Sequence, residues 1–214
     1  YIIWELPDCK KALLNGDCTM VWEEHIHYFT EFTFKQFLLT EKFKIIDFSS
    51  IEYPLENCLV AITQKSGNKD DLIENNIKSI SIEVERAKQY LELLHLRKKS
   101  VRRKLNAISK KYGNLAFFGA GHFTCAFISI MGIQDLVDYV VDDNLNKKDR
   151  KLPAGGISIV GSDALYKNNL KVCLLGLNPQ SHDKVISNHK EFVKNGGVFA
   201  SIFPGTDRYF EDIL

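Results

Sequence analysis

Two stretches of this sequence gather side chains able to do chemistry. The denser is Trp22-Glu23-Glu24-His25-Ile26-His27-Tyr28-Phe29-Thr30, with two acids, two imidazoles and a phenol between apolar stretches. A carboxylate beside an imidazole raises its pKa and makes it a better proton acceptor. Glu24 and His25 are therefore the candidate acid/base pair, and a structural histidine is the competing reading. The second stretch is Gly119-Ala120-Gly121-His122, between the apolar run Leu115–Phe118 and a helix-like run from Phe123 to Met131. Glycines there let a ligand approach the backbone, and unpaired N–H groups at a helix start face an anion. Asp142 comes 21 residues after Gly121, where dinucleotide folds place an acid on ribose hydroxyls. The third glycine of that fingerprint is absent, because Thr124 stands in its place. Nucleotide binding and a tight structural turn both remain readings of this loop.

Further candidates cluster around the same strand ends. Asp142-Asp143-Asn144 with Lys147, Lys148 and Arg150 reads either as a ligand-facing loop at the end of a strand or as an ordinary charged turn. Asn178-Pro179 follows another strand end and faces the same expected crevice. The substrate-side residues taken forward are Gly119, Gly121, His122, Asp142, Asn144 and Lys148. His95, His182 and His189 show no metal spacing and read as solvent-facing, so no metal site is expected.

Three segments must position these residues. From Tyr1 to about Gly67, a buried opening strand is stopped by Pro7-Asp8, and a helix is predicted over Phe34–Phe43. Lys44–Phe48 and Cys58–Thr63 then form an antiparallel strand pair joined through a loop containing Pro54. From about Asn68 to Tyr112, Ile73, Ile77, Ile80, Val84, Ala87, Leu91 and Leu94 recur at alternating spacings of four and three. That is a heptad seam; it is broken at Lys98 and resumes at Val101, Leu105 and Ile108. The seam docks on its own domain or pairs with a second copy as a homodimer. The basic cluster Arg97–Lys104 lacks interleaved aromatics and reads as a solvated helix face rather than a nucleic-acid site. From Gly113 to Leu214, apolar strands (Val137–Val141, Ile157–Val160, Val172–Gly176 and Val198–Phe203) alternate with helices, one capped by Ser162 and one from Pro179 to Lys194. This predicts an α/β fold with a Rossmann-like parallel sheet covered on both faces.

Bulk properties narrow the classes. The 214 residues are 45% hydrophobic, enough for one large domain or two small ones, and the net charge of +1 draws the chain neither to nucleic acid nor to membrane. No apolar run approaches the roughly 18 residues of a membrane span. The five cysteines form no C-x-x-C pair and read as packed, reduced thiols of a cytoplasmic protein. The first residue is Tyr1, so a preceding part of the same protein is expected.

Glu24-His25-Ile26-His27-Tyr28-Phe29-Thr30 resembles the E-H-x-x-Y-F-[ST] motif of SAM-dependent sugar C-methyltransferases. Phe118-Gly119-Ala120-Gly121, Met131-Gly132-Ile133, Val140–Asn144, Lys147-Lys148, Leu152-Pro153, Gly196-Gly197 and Ile202-Phe203-Pro204 resemble the carboxy-terminal domain of those enzymes, in the same order. The resemblance implies that residues 1–67 are the tail of a class I methyltransferase domain, 68–112 a helical linker and 113–214 the Rossmann-like final domain. It implies S-adenosylmethionine (SAM) as cofactor, bound mainly by upstream residues, and a keto-sugar substrate on a nucleoside diphosphate such as dTDP. His25 would be the base that forms an enolate, and Glu24 its orienting partner. The final domain would hold the nucleotide sugar, and the chain alone would be inactive. Trp22 stands where many relatives have a tyrosine, and the glycine loop is shorter and lacks their lysine. Three other readings stay open: a nucleotide-binding module, an NAD-dependent oxidoreductase domain favoured by Asp142 and disfavoured by Thr124, and a helical assembly module.

Overall fold

The computed structural model describes residues 1–22, 24–53, 56–66, 77–167 and 169–214, with 77 and 78 by their backbone alone. Glu23, Pro54, Ile73 and the segment boundary near 67–68 lie outside the described residues. The chain forms two compact units, Tyr1–His95 and Leu96–Leu214.

The first unit holds β1 (Ile2–Asp8), α1 (Lys10–Asn15), α2 (Glu31–Thr40), β2 (Phe43–Ile51), β3 (Asn57–Lys65) and the first part of α3 (Ile77–Tyr112). Its sheet has the order β1-β3-β2, with β3 antiparallel to both neighbours. The predicted antiparallel pair is β2 and β3, each longer than the apolar run that marked it. The opening strand is not buried: Ile2 is 42% and Ile3 72% exposed, because β1 lies at the edge of this sheet. Pro7 does not stop it, since an edge strand tolerates a residue with no N–H, and β1 continues in register to Asp8. The core is Phe34, Leu38, Leu59 and Ala61, with Trp4, Phe29, Phe37 and Phe48 packed around it. Helix α2 starts three residues earlier than predicted. Thr30 and Thr33 form a reciprocal capping box, in which each hydroxyl accepts from the other's N–H.

The second unit continues α3 and adds β4 (Leu115–Phe118), α4 (His122–Met131), β5 (Tyr139–Val141), β6 (Ile159–Val160), β7 (Val172–Leu175), α5 (His182–Asn188), α6 (Lys190–Lys194), β8 (Val198–Ser201) and α7 (Phe210–Ile213). The five strands run parallel in the order β6-β5-β4-β7-β8. Every residue of β4, β5 and β7 is buried, as expected for strands covered on both faces. From β4 the chain goes outward to β5 and β6, then returns to the other side of β4 for β7 and β8. Ligand crevices of open α/β sheets form at such a reversal, here between the ends of β4 and β7.

Several local expectations change. Ser162 is the first residue of a 3-10 helix and not its cap, which is Gly161 without a side-chain bond. The helix predicted over Pro179–Lys194 is three pieces: a 3-10 turn capped by Asn178, then α5, then α6, with the break at His189. His182 and His189 are 5% and 8% exposed, not solvent-facing, because the broken helix packs the His189 ring on Phe118 of β4 and the His182 ring near Phe203. Part of the basic cluster is structural rather than solvated. Arg102 donates to the Gly132 carbonyl at the end of α4 (2.6 Å) and to both Asp135 oxygens (2.9 and 2.5 Å), and Arg97 donates to the Ile202 carbonyl (3.4 Å).

Thr124 explains how the sheet reversal closes without the third fingerprint glycine. Its hydroxyl lies 2.5 Å from the Gly119 carbonyl and 3.1 Å from the Gly176 carbonyl, tying α4 to the ends of β4 and β7. The space for this side chain comes from the opposite strand, since a Cβ on Gly176 would fall 2.0 Å from Thr124 Oγ1. Gly176→Ala should therefore destabilise the unit by about 1–3 kcal/mol in urea unfolding. Combined with Thr124→Gly it should cost less than the two single changes added together; strict additivity would refute the steric link.

Candidate functional site

Two places bring the sequence-predicted residues to the surface, one in each unit. In the first unit the chemistry-bearing stretch is a loop tied down at its end. The Cys9 N–H donates to the Phe29 carbonyl (2.8 Å), and Asp8 and Phe29 form a parallel bridge at the end of β1. The Phe29 ring packs 5.4 Å from both Phe34 and Phe37. Thr30 is already the cap of α2. Upstream, the Tyr28 hydroxyl accepts from the Trp22 N–H (3.0 Å) and donates to the Trp22 carbonyl (3.1 Å), pinching the loop.

His25 sits inside that pinch. Its N–H donates to the Trp22 carbonyl (3.0 Å), its ring stacks on the Trp22 indole (centroids 5.7 Å, 29°), and the Tyr28 ring meets it edge-on at 6.0 Å. The imidazole is exposed, as is Glu24. Among the described residues no hydrogen bond or ion pair joins the two. The carboxylate that senses His25 is Glu56, on the approach to β3. Burial pushes the Glu56 pKa up, His25 opposes that shift, and Asp17 and Asp8 reinforce it. Sequence reasoning missed Glu56 because only the β1–β3 register, which sets Asp8 against Asn57, brings it to this end of the sheet. Trp22, where the resemblance implies a tyrosine, supplies an aromatic platform and no phenol.

In the second unit the glycine loop lies over the sheet reversal. Gly119 adopts φ +98°, which favours glycine, and a Cβ there would meet Leu177 Cβ at 3.2 Å. Gly121 is different. It is extended (φ −121°), offers α4 no side-chain cap, and a Cβ on it would meet nothing within 4 Å. His122 opens α4, its ring edge-on to Phe123 at 5.8 Å. Asp142 points into the loop, where its carboxylate accepts from the Ala120 N–H (2.7 Å), the Lys147 ammonium (3.1 Å) and the Asn144 N–H (2.8 Å). Lys147 also donates to the Ala120 carbonyl (3.0 Å). Asn144 is exposed, and its side chain accepts from the Asn146 N–H (3.0 Å). The stem of Lys148 lies beside Gly161 and its charge reaches Asp163. The structure thus joins Gly119, Gly121, His122, Asp142 and Asn144 around one loop, with Lys147 as the lysine that reaches it.

Two histidines flank this crevice unannounced by any motif. His189 packs its ring 5.3 Å from Phe118, with Nε2 3.4 Å from an Asp143 oxygen and Nδ1 3.4 Å from the Tyr166 hydroxyl. His182 Nε2 lies 3.0 Å from the Leu177 carbonyl, to which it donates, and burial pushes its pKa below the ordinary histidine value. Among the described residues, no group of three or more His, Cys, Asp or Glu is arranged to hold a metal ion, and no helix is long and apolar enough to cross a membrane.

Two predictions follow from these contacts. Asp142→Ala leaves the Ala120 N–H and the Lys147 ammonium without their carboxylate, and should cost about 2–3 kcal/mol in chemical unfolding; unchanged stability would contradict the loop clamp. His182 binds its proton less readily when folded, so protonation of the unfolded chain opposes folding as pH drops below about 6.5. The urea midpoint should fall from pH 7 to pH 5, and His182→Gln should flatten that fall.

The sequence matches, over residues 61–204, the family described as C-methyltransferase C-terminal domain. The match starts within β3 and runs through α3 and the parallel sheet to just beyond β8. It covers well over half of the chain. No curated protein matches the chain.

The chain belongs to the C-methyltransferase C-terminal domain family.

Proposed function

We propose that this member of the family serves a methyltransferase that moves a methyl group from SAM to a carbon of a keto-sugar carried on a nucleoside diphosphate, with His25 acting on the acceptor and the glycine loop holding the nucleotide. The observation that carries the methyl-transfer reading is the family match across residues 61–204. The acceptor-side reading rests on His25, an exposed imidazole held on the Trp22 face by backbone and ring contacts. The order β1-β3-β2, with a reversed middle strand, supports reading the first unit as the close of a class I methyltransferase sheet.

In the first unit β1 leads through Asp8 and Cys9 directly into α1, without a glycine-rich turn. In the second, the acid that could take ribose hydroxyls is engaged by Ala120, Asn144 and Lys147. That engagement also weighs against the NAD-dependent reading. The chemistry assigned to this chain therefore concerns the acceptor alone. His25 takes the proton from the carbon beside the ketone, and the electron pair left behind passes to the carbonyl oxygen as an enolate. Glu56 is the carboxylate within electrostatic reach of His25. Gly121, with open space where a side chain would stand, is where the diphosphate approaches the start of α4.

In the enzyme that contains this chain, His25→Ala should lower turnover by about 10²–10⁴-fold while the donor binds as before. Retained turnover would refute the role of His25. Gly121→Val, whose Cβ would meet nothing within 4 Å, should abolish titration heat with a nucleoside diphosphate and leave the unfolding midpoint unchanged. Binding that survives this change would remove the loop from the substrate site.

A further inference from the structure

His189, at the break between α5 and α6, lies between an acid and a phenol. Its ring is buried and packs on Phe118, the last residue of β4. Nε2 lies 3.4 and 3.5 Å from the two oxygens of Asp143, just past the end of β5. Nδ1 lies 3.4 Å from the hydroxyl of Tyr166, the last residue of the 3-10 helix that follows β6. An ionised carboxylate can only accept a hydrogen bond, so Nε2 carries the ring proton. That leaves the lone pair of Nδ1 facing Tyr166, whose hydroxyl is the donor. Acid, imidazole and hydroxyl in this order make an activated nucleophile, with a base in reach and a third group orienting the base. Contacts of this length are usual for such a relay before a ligand tightens it.

Exposure separates the three roles. The imidazole is covered, whereas Tyr166 is 50% exposed and reachable from solvent. Tyr166 also lines a hollow of about 90 Å³ shared with Asn169, Lys171 and Asn195, which is room for a small acyl group. The Lys171 ammonium donates to the Asn195 carbonyl (3.4 Å) on its rim. Asp143 and Tyr166 both follow parallel strands at their carboxyl ends, where open α/β sheets bind ligands. We infer that Tyr166, with His189 as its base and Asp143 behind that base, is a nucleophilic hydroxyl of the second unit that accepts a small acyl group from an activated ester. The Tyr166 oxygen attacks the acyl carbon, and its proton passes to Nδ1 of His189. The leaving group departs with the electron pair of the broken ester bond, and an acyl ester remains on Tyr166. Asp143 faces the imidazolium through Nε2. His189 and Asp143 are positioning residues, since neither touches the acyl group.

Treating the full chain with p-nitrophenyl acetate, then mapping acetyl groups by peptide mass spectrometry, tests this. Tyr53 is the internal standard, because at 52% it is as exposed as Tyr166. Acetyl should appear on Tyr166 well before Tyr53. His189→Gln should slow acetylation of Tyr166 by about 10²-fold and leave that of Tyr53 unchanged. Asp143→Asn should slow it by a smaller factor, and Tyr166→Phe should remove the fast phase of p-nitrophenolate release. The Asp143 side chain is half exposed, so Asp143→Asn decides the matter if His189→Gln fails to fold. Equal rates at Tyr166 and Tyr53, acetyl on Lys171 in place of Tyr166, or a fast Tyr166 indifferent to both substitutions would overturn the inference.

Discussion

The second unit depends on one close approach, that of Thr124 to the carbonyls of Gly119 and Gly176. Parallel strands that diverge from a central pair leave a gap where their ends separate. A helix leaving the first strand has to cross that gap within a few residues. A dinucleotide fold solves the problem with a glycine on the helix, so that backbone meets backbone. Here the helix keeps a side chain and the opposite strand gives up its own. The contact gains a hydrogen bond, and the ends of β4 and β7 are held from one atom.

That substitution sets the character of the loop above it. With Thr124 gripping from below, Asp142 and Lys147 clamp Ala120 from the side, so both the N–H and the carbonyl of Ala120 are bonded within the protein. At Gly121 a side chain would still meet open space. A loop held this way offers a small, rigid contact point rather than an embracing cradle. This suits recognition of one anionic group more than of a whole dinucleotide.

The strand-rich α/β plan was legible because apolar runs such as Leu115–Phe118 and Val172–Leu175 are too uniform to be anything but doubly covered strands. The antiparallel pair in the first unit was equally plain. Helix starts were less so: α2 begins at a threonine box, a signal weaker to the eye than the phenylalanines that follow it. The reading of His182 and His189 as solvent-facing failed for a related reason. A polar residue at a helix break takes its surroundings from tertiary packing, and nothing local marks it. The site was half legible. The Glu24–His25 stretch and the glycine loop stood out as motifs, whereas Glu56, Lys147 and Thr124 matter through register, reach and a missing Cβ on another strand. The heptad pattern was visible in full, but sequence could not tell which half of it the fold would cover.

Three of the five thiols, Cys9, Cys18 and Cys173, are buried, two in the first unit and one in the second. Burial pushes the Cys9 pKa up to about 11, with Glu56 adding to the effect, and pushes Cys173 higher still. A thiol that stays protonated is a poor nucleophile, so these sulfurs are silent toward alkylating reagents until the surrounding structure opens. Each unit therefore carries its own internal timer. The order in which buried cysteines become modified records which half of the chain breathes first, and how far its opening is independent of the other.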